Sequence, residues 1–176
     1  MAKQEALDRA YMNCALAIAE LSHANRKKVG AILVTPGGGI IAEGYNGTPS
    51  GFDNECETYY MHTWSYGPGA CLQCGRNYNP TDMSCKLITK PEVLHAESNA
   101  IMKVARSTNS SNDATLYVTM SPCFDCAKLI IQAGIKRVVY LEAYRNTDGV
   151  ALLEKAKIRV DMLPENHDHK DHGPLV

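Results

Sequence analysis

Two fragments of this sequence carry donor atoms of the kind that bind metals and move protons: His95-Ala96-Glu97 and Pro122-Cys123-Phe124-Asp125-Cys126. One imidazole and two thiols separated by two residues are soft or borderline ligands, the set that holds zinc while leaving a fourth position for water. A site of that kind is open and therefore catalytic. Each fragment follows an extended segment and opens a helical pattern, so the unpaired N–H groups and positive dipole end of a first turn favour the thiolates of Cys123 and Cys126. Pro122 suits the position just before such a turn. Glu97, two residues beyond His95, makes a poor fourth ligand and a good general acid and base. A C-x-x-C pair alone is shared with redox pairs and zinc knuckles, and the alternative is a closed, non-catalytic zinc-binding module. Glu97 discriminates, because a zinc ribbon has no use for it.

The elements that must position these groups alternate along the chain. Apolar residues Leu7, Tyr11, Cys14, Ile18 and Leu21 recur every three or four positions from Lys3 to Leu21, which predicts an amphipathic helix with Cys14 buried on its apolar stripe. Val29 to Thr35 and Ile40 to Glu43 read as a hairpin around Pro36-Gly37-Gly38-Gly39, and Gly44 to Gly51 reads as a loop. Residues 52–92 show no sustained period and hold four cysteines, the pattern of an insertion. Helix and strand then alternate: helix from Ala96 to Arg106, strand from Thr115 to Thr119, helix from Cys123 to Gln132, strand from Arg137 to Leu141, helix from Gly149 to Ala156, strand from Ile158 to Met162. Successive right-handed crossovers of this kind predict parallel strands beside the initial hairpin, with helices on both faces: a three-layer α/β/α sandwich. Residues 1–164 read as one domain, and residues 165–176, with His167, His169 and His172, as a polar tail, loose or touching a metal.

Composition narrows the class. The 176 residues carry 18 Lys plus Arg against 19 Asp plus Glu, a net charge of -1 that supplies no cation excess for binding a nucleic acid polymer. No apolar run approaches the roughly 20 residues of a membrane span, and the stretch from Met1 to Arg9 lacks the apolar core of a secretory signal. A cytoplasmic location is expected, in the host cytoplasm if the chain is phage-encoded. A chain of this size folds without staples, so its 7 cysteines need not form a disulfide framework.

H-x-E followed by P-C-x-x-C is the signature of the zinc nucleobase deaminases. Three runs, Gly44-Tyr45-Asn46-Gly47-Thr48-Pro49-Ser50-Gly51, His95 to Ile101 and Ser121 to Ile135, resemble the deoxycytidylate deaminases in particular, over residues 5–162 with the insertion excepted. The resemblance implies the cytidine-deaminase-like fold and hydrolytic conversion of dCMP to dUMP with release of ammonia. It also implies a homo-oligomer, with a hexamer favoured, and regulation by dCTP with Mg2+ (activator) and dTTP (inhibitor). By resemblance His95, Cys123 and Cys126 hold zinc and Glu97 carries the proton. Likewise the N–H of Ala96 and the carbonyl of Ser121 read the pyrimidine edge, and Asn46 holds the sugar hydroxyl. A basic residue between the first helix and first strand is implied at the phosphate, and Arg26, beside Lys27 and Lys28, is the candidate; a solvated basic turn is the alternative. Tyr144, next to Arg145 at the C-terminal edge of the sheet, is a candidate pocket wall, with packing in the core or at the rim as the alternative. The effector is expected against Lys28, Gly44, Tyr45, Asn46 and Gly47.

The four cysteines of the insertion include Cys71-Leu72-Gln73-Cys74, at knuckle spacing. A second, structural zinc held by Cys71, Cys74, Cys85 and either Cys56 or His62 would staple a segment too polar to fold alone; four free cysteines are the other reading. Some deoxycytidylate deaminases, notably phage ones, resemble this chain in carrying a second metal in such an insertion. Rival functions of the same chemistry are a tRNA adenosine deaminase, disfavoured by the near-neutral charge, and a free nucleoside deaminase.

Overall fold

Apolar runs broken by Gly and Pro turns produce, in chain order, α1 (Ala2–Ala19), β1 (Gly30–Val34), β2 (Ile40–Tyr45), β3 (Glu57–Tyr60), β4 (Lys86–Thr89), α2 (Ala96–Ala105), β5 (Thr115–Met120), α3 (Phe124–Gln132), β6 (Arg137–Glu142), α4 (Asp148–Lys155) and β7 (Arg159–Met162). These come from a computed structural model, which describes residues 2–60 and 86–164. The main sheet has the order β2-β1-β5-β6-β7. β1 runs antiparallel to both β2 and β5, whereas β5, β6 and β7 are parallel. The expected hairpin followed by parallel strands is therefore present, and among the described residues no helix is long and apolar enough to cross a membrane.

Side chains of β1 alternate between two cores, as the period of a strand requires. Ile32 and Val34 meet Met12 and Ala15 of α1, together with Tyr117 and Val139. Ala31 and Leu33 face the opposite layer, where Ala100 and Val104 of α2, Ile130 of α3 and Leu153 of α4 cover Leu116, Val118 and Val138. Both crossovers after β5 place their helices on this second face, the consequence of a constant right hand.

Three sequence expectations change. Cys14 is exposed, as are Leu7 and Leu21, and α1 instead buries Asp8, Met12, Ala15 and Ala19. The reason is steric: α1 lies so close to β1 that a Cβ on Gly30 would stand 2.0 Å from the carbonyl oxygen of Ala15. Only the small residues Ala15 and Ala19 fit where the helix crosses Gly30, and its leucines turn outward. A buried ion pair fixes the same rotation, with Arg137 donating to both carboxylate oxygens of Asp8 at 2.7 Å and Tyr117 donating its hydroxyl to Oδ1 at 2.7 Å. Breaking such a pair by removing one partner costs about 3–5 kcal/mol.

The second change is that β2 continues through Gly44 and Tyr45, where a loop was expected. A Cβ on Gly44 would meet the carbonyl oxygen of Ala96 at 2.2 Å and the nitrogen of Ala100 at 2.6 Å. Gly44 is thus where α2 is seated on the sheet. Its missing side chain serves that contact. Third, the aperiodic stretch contains a two-stranded antiparallel sheet, β3 with β4, in which Glu57 faces Thr89. Gly44→Ala must lift the start of α2 or bend β2, so it is expected to lower stability by about 1–3 kcal/mol, the usual cost of overpacking. Urea unfolding checks this; an unchanged midpoint would mean that α2 slides freely on the sheet.

Candidate metal centre and active site

The site forms at one edge of the sheet. β5 and β6 end there, β2 ends there, and β1, being antiparallel to β5, begins there. Segments joined to those four strand ends supply the functional side chains. His95 is the N-cap of α2 (φ -77°, ψ 156°) and Cys123 the N-cap of α3 (φ -73°, ψ 172°). An N-cap side chain ordinarily accepts from its own first turn. Neither does so here, which leaves the imidazole and the thiol available as ligands. Cys126 follows one turn into α3 and is buried.

Both segments are pinned. The backbone of Gly47 exchanges two hydrogen bonds with Leu94, at 3.1 and 2.9 Å, immediately before His95, and Asn99 donates to the carbonyl of Tyr45 at 2.8 Å. On the other side, the N–H of Ser121 donates to the carbonyl of Glu142 at 2.8 Å, and the Ser121 hydroxyl accepts from the N–H of Tyr144 at 2.7 Å. A Cβ on Gly149 would fall 2.1 Å from the carbonyl oxygen of Pro122, so α4 presses directly on the cysteine segment.

This framework brings His95 Nδ1 to 3.4 Å from the sulfur of Cys123 and 3.4 Å from that of Cys126. The three donor atoms all lie within 4.8 Å of one another. A tetrahedral zinc with ordinary bond lengths needs nitrogen and sulfur about 3.6 Å apart, so the donor set fits that ion in both chemistry and spacing. His95 is exposed while Cys126 is buried, which keeps one side of the trio open.

Charge is distributed unevenly over the group. A hydrogen bond from Cys126, reinforced by His95, holds the Cys123 thiol down to about 4, and the same bond together with burial pushes Cys126 above the ordinary thiol range. The Cys123 sulfur raises the pKa of His95. Glu97 is 4% exposed, and burial raises its carboxyl above the usual range.

A cavity of about 360 Å³ is lined by His95, Ala96, Glu97, Ser121, Cys123, Asn46, Tyr144 and Arg26, with Cys126 behind the wall. Among the residues that line it, Glu57, Val93, Ala96, Glu97 and Ser121 are buried, whereas the cations Arg26, Lys27 and Arg145 are exposed. Asn46 is partly engaged: its Oδ1 accepts from the N–H of Val29 at 2.8 Å and its Nδ2 donates to the carbonyl of Lys27 at 2.9 Å, leaving one N–H and one lone pair. The Tyr144 ring lies on the cavity wall with the Arg145 guanidinium 5.7 Å from its centre. The three cations of the basic turn differ. Lys27 is paired with Glu142 at 2.6 Å and Lys28, away from the cavity, with Glu20 at 3.3 Å. Arg26 has no carboxylate at ion-pair distance among the described residues, and its Nη1 donates to the Thr89 hydroxyl at 3.1 Å.

Of the residues read as an effector site, Gly44, Tyr45 and Gly47 border the cavity's Asn46 but do not line the cavity. Cys56 is buried against Ala24 and Val93, where burial pushes its thiol up. His62, Cys71, Cys74 and Cys85 lie outside the described residues, as do the tail histidines. Sequence reasoning missed Glu57, a buried carboxylate in the cavity wall. Nothing in its spacing separates it from Glu55 or Glu92; the one signal is the β-rich run Glu57-Thr58-Tyr59-Tyr60.

An α/β/α sandwich that presents one imidazole, two thiols and a buried carboxylate from two helix starts has the architecture of the zinc nucleobase deaminases. The family model for the cytidine and deoxycytidylate deaminase zinc-binding region matches residues 5–142, and the chain belongs to that family; it is a deaminase. Deoxycytidylate deaminase of Enterobacteria phage T4 is 37% identical over 161 residues, which cover 81% of this chain and 82% of the relative. The human deoxycytidylate deaminase is 34% identical over 140 residues, covering 78% and 66% respectively. A crystal structure of dCMP deaminase from the cyanophage S-TIM5, in complex with dCMP and dUMP, superposes with a TM-score of 0.68 at 41% identity, over 88% of this chain and 95% of that one.

Proposed function

We propose that this enzyme hydrolyses dCMP to dUMP and ammonia, with zinc held by His95, Cys123 and Cys126. One observation carries the reading: a single cavity is lined by the metal ligands His95 and Cys123, by the buried carboxylate of Glu97 and by Arg26, which has no carboxylate at ion-pair distance among the described residues. The similarity to the cyanophage enzyme, whose complex holds dCMP and dUMP, supports the choice of nucleotide. When bound, zinc supplies Lewis acidity that lowers the pKa of water toward neutrality. Glu97 accepts a proton from the water that attacks C4 of the cytosine and delivers it to N3; it then takes the second proton, from the C4 hydroxyl, and passes it to the departing amine, so that one carboxylate serves both directions. The Ala96 N–H and the Ser121 carbonyl read the pyrimidine edge, and the free valences of Asn46 meet the sugar hydroxyl. Tyr144 walls the base, and Arg26 takes the monophosphate by a charge-assisted contact.

Glu97→Gln keeps the size of the side chain but cannot accept the proton. It is expected to retain zinc and fold while losing at least about a thousandfold in kcat, toward the upper range of a general acid–base contribution. Following ammonia release from dCMP beside metal content checks this. Substantial turnover by the variant would remove Glu97 from the mechanism.

The same reading extends to a second, structural zinc on Cys71, Cys74, Cys85 and either Cys56 or His62, supported by the knuckle spacing of Cys71 and Cys74. Two zinc ions per chain are expected, falling to one in Cys74→Ala; a native content near one refutes the second site. It extends also to an oligomer, a hexamer, in which dTTP and dCTP with Mg2+ bind near Lys28 and the segment Gly44, Tyr45, Asn46 and Gly47. Because Gly47 is bonded to the residue before His95, a ligand on this segment has a short mechanical path to the metal ligands. The expected result is weaker, more sigmoidal dCMP saturation with dTTP and reversal by dCTP with Mg2+. Superimposed saturation curves would refute the switch.

A further inference from the structure

Glu57 has no part in the chemistry above, although the residue is 8% exposed and lines the cavity. It stands on β3 directly opposite Thr89 on β4, at the root of the segment 61–85. Its Oε1 accepts from the backbone N–H of Arg26 at 3.2 Å, and its Oε2 from the backbone N–H of Asn25 at 3.1 Å and the Asn25 amide at 3.4 Å. Thr89 accepts from the other end of Arg26, its Nη1, at 3.1 Å. One cross-strand pair therefore grips a single cavity cation at both its backbone and its guanidinium.

We infer that Glu57 and Thr89 are positioning residues that aim Arg26 at the substrate's phosphate, so that the root of the insertion sets the preference for a nucleotide over a nucleoside. The inference rests on the phosphate role proposed for Arg26. A long side chain on an exposed turn loses rotamer freedom when it binds an anion, and fixing it beforehand removes that cost. The grip leaves the charge available. Glu57 spends its oxygens on backbone and amide N–H groups, and Thr89 is a neutral acceptor. Lys27, by contrast, is already neutralised by Glu142.

The two ways in which Glu57 could act have opposite signs. As a positioning group, its replacement by Gln leaves one buried N–H facing an amide nitrogen, loosens the turn and weakens phosphate binding. As a mere negative charge near the phosphate, its removal would tighten binding. Initial rates with dCMP and with deoxycytidine separate them.

For Glu57→Gln the expected result is a KM for dCMP raised about tenfold, kcat kept within about twofold, and a preference for dCMP over deoxycytidine reduced by the same factor as KM rises. Thr89→Val should act in the same direction and Thr89→Ser should restore the native preference. Combined with Arg26→Ala, Glu57→Gln should add nothing, since both act through one contact. A KM for dCMP that falls or stays constant in Glu57→Gln, equal losses on both substrates, or full additivity with Arg26→Ala would overturn the inference. If Glu57→Gln does not fold, the Thr89→Val and Thr89→Ser pair decides alone. A wild-type enzyme without dCMP turnover overturns the proposed function and this inference together, whereas an active wild type with insensitive variants overturns only the positioning role.

Discussion

Two helix starts from distant parts of the chain must meet with three ligand atoms within 4.8 Å, and this close approach is the constraint on which the rest of the structure depends. Side chains on the supporting segments would prevent it. At Gly44 a Cβ would collide with the first turns of α2, and at Gly149 with the backbone of Pro122 and Cys123. Seating one helix start on β2 and wedging the other under α4 fixes both at backbone level, where positions are far less free than on a side-chain contact. His95 and Cys123 can then occupy N-cap positions without capping, because the backbone that carries them is held by Gly47, Leu94, Ser121 and Glu142.

The strand directions explain why so many unrelated segments reach one cavity. An open α/β sheet gathers ligands beyond the carboxyl ends of its parallel strands. Here the antiparallel hairpin adds the start of β1 and the end of β2 to the ends of β5 and β6. The carboxyl of Glu97 is buried, where desolvation favours its protonated form, and the cations Arg26, Lys27 and Arg145 are exposed, where water still screens them. One cavity therefore offers surroundings suited to a polar group beside Glu97 and to an anion beside Arg26.

The insertion belongs to this arrangement and is not merely appended to it. Its two roots pair as β3 and β4, and the pair delivers a buried carboxylate to the turn before β1. An aperiodic stretch rich in Gly, Pro, Asn and Tyr thus contributes to the cavity wall through the short segments where it leaves and rejoins the domain.

The chemistry was legible in the sequence because it depends on residue types at short spacings. His95, Glu97, Cys123 and Cys126 sit in two local motifs, and the strand and helix periods around them place both motifs at helix starts. The same periods disclosed the order of the elements, since alternation of helix and strand leaves few topologies. Tertiary structure decided what depends on close contact. α1 is apolar on two faces, and period alone cannot say which is buried; the approach to Gly30 and the Asp8–Arg137 pair select the alanine face and expose Cys14. Gly44 looks like a loop residue until α2 is placed against it. Glu57 is one acidic residue among several in an aperiodic segment, and its partners are backbone N–H groups 31 and 32 positions away, which no local pattern records.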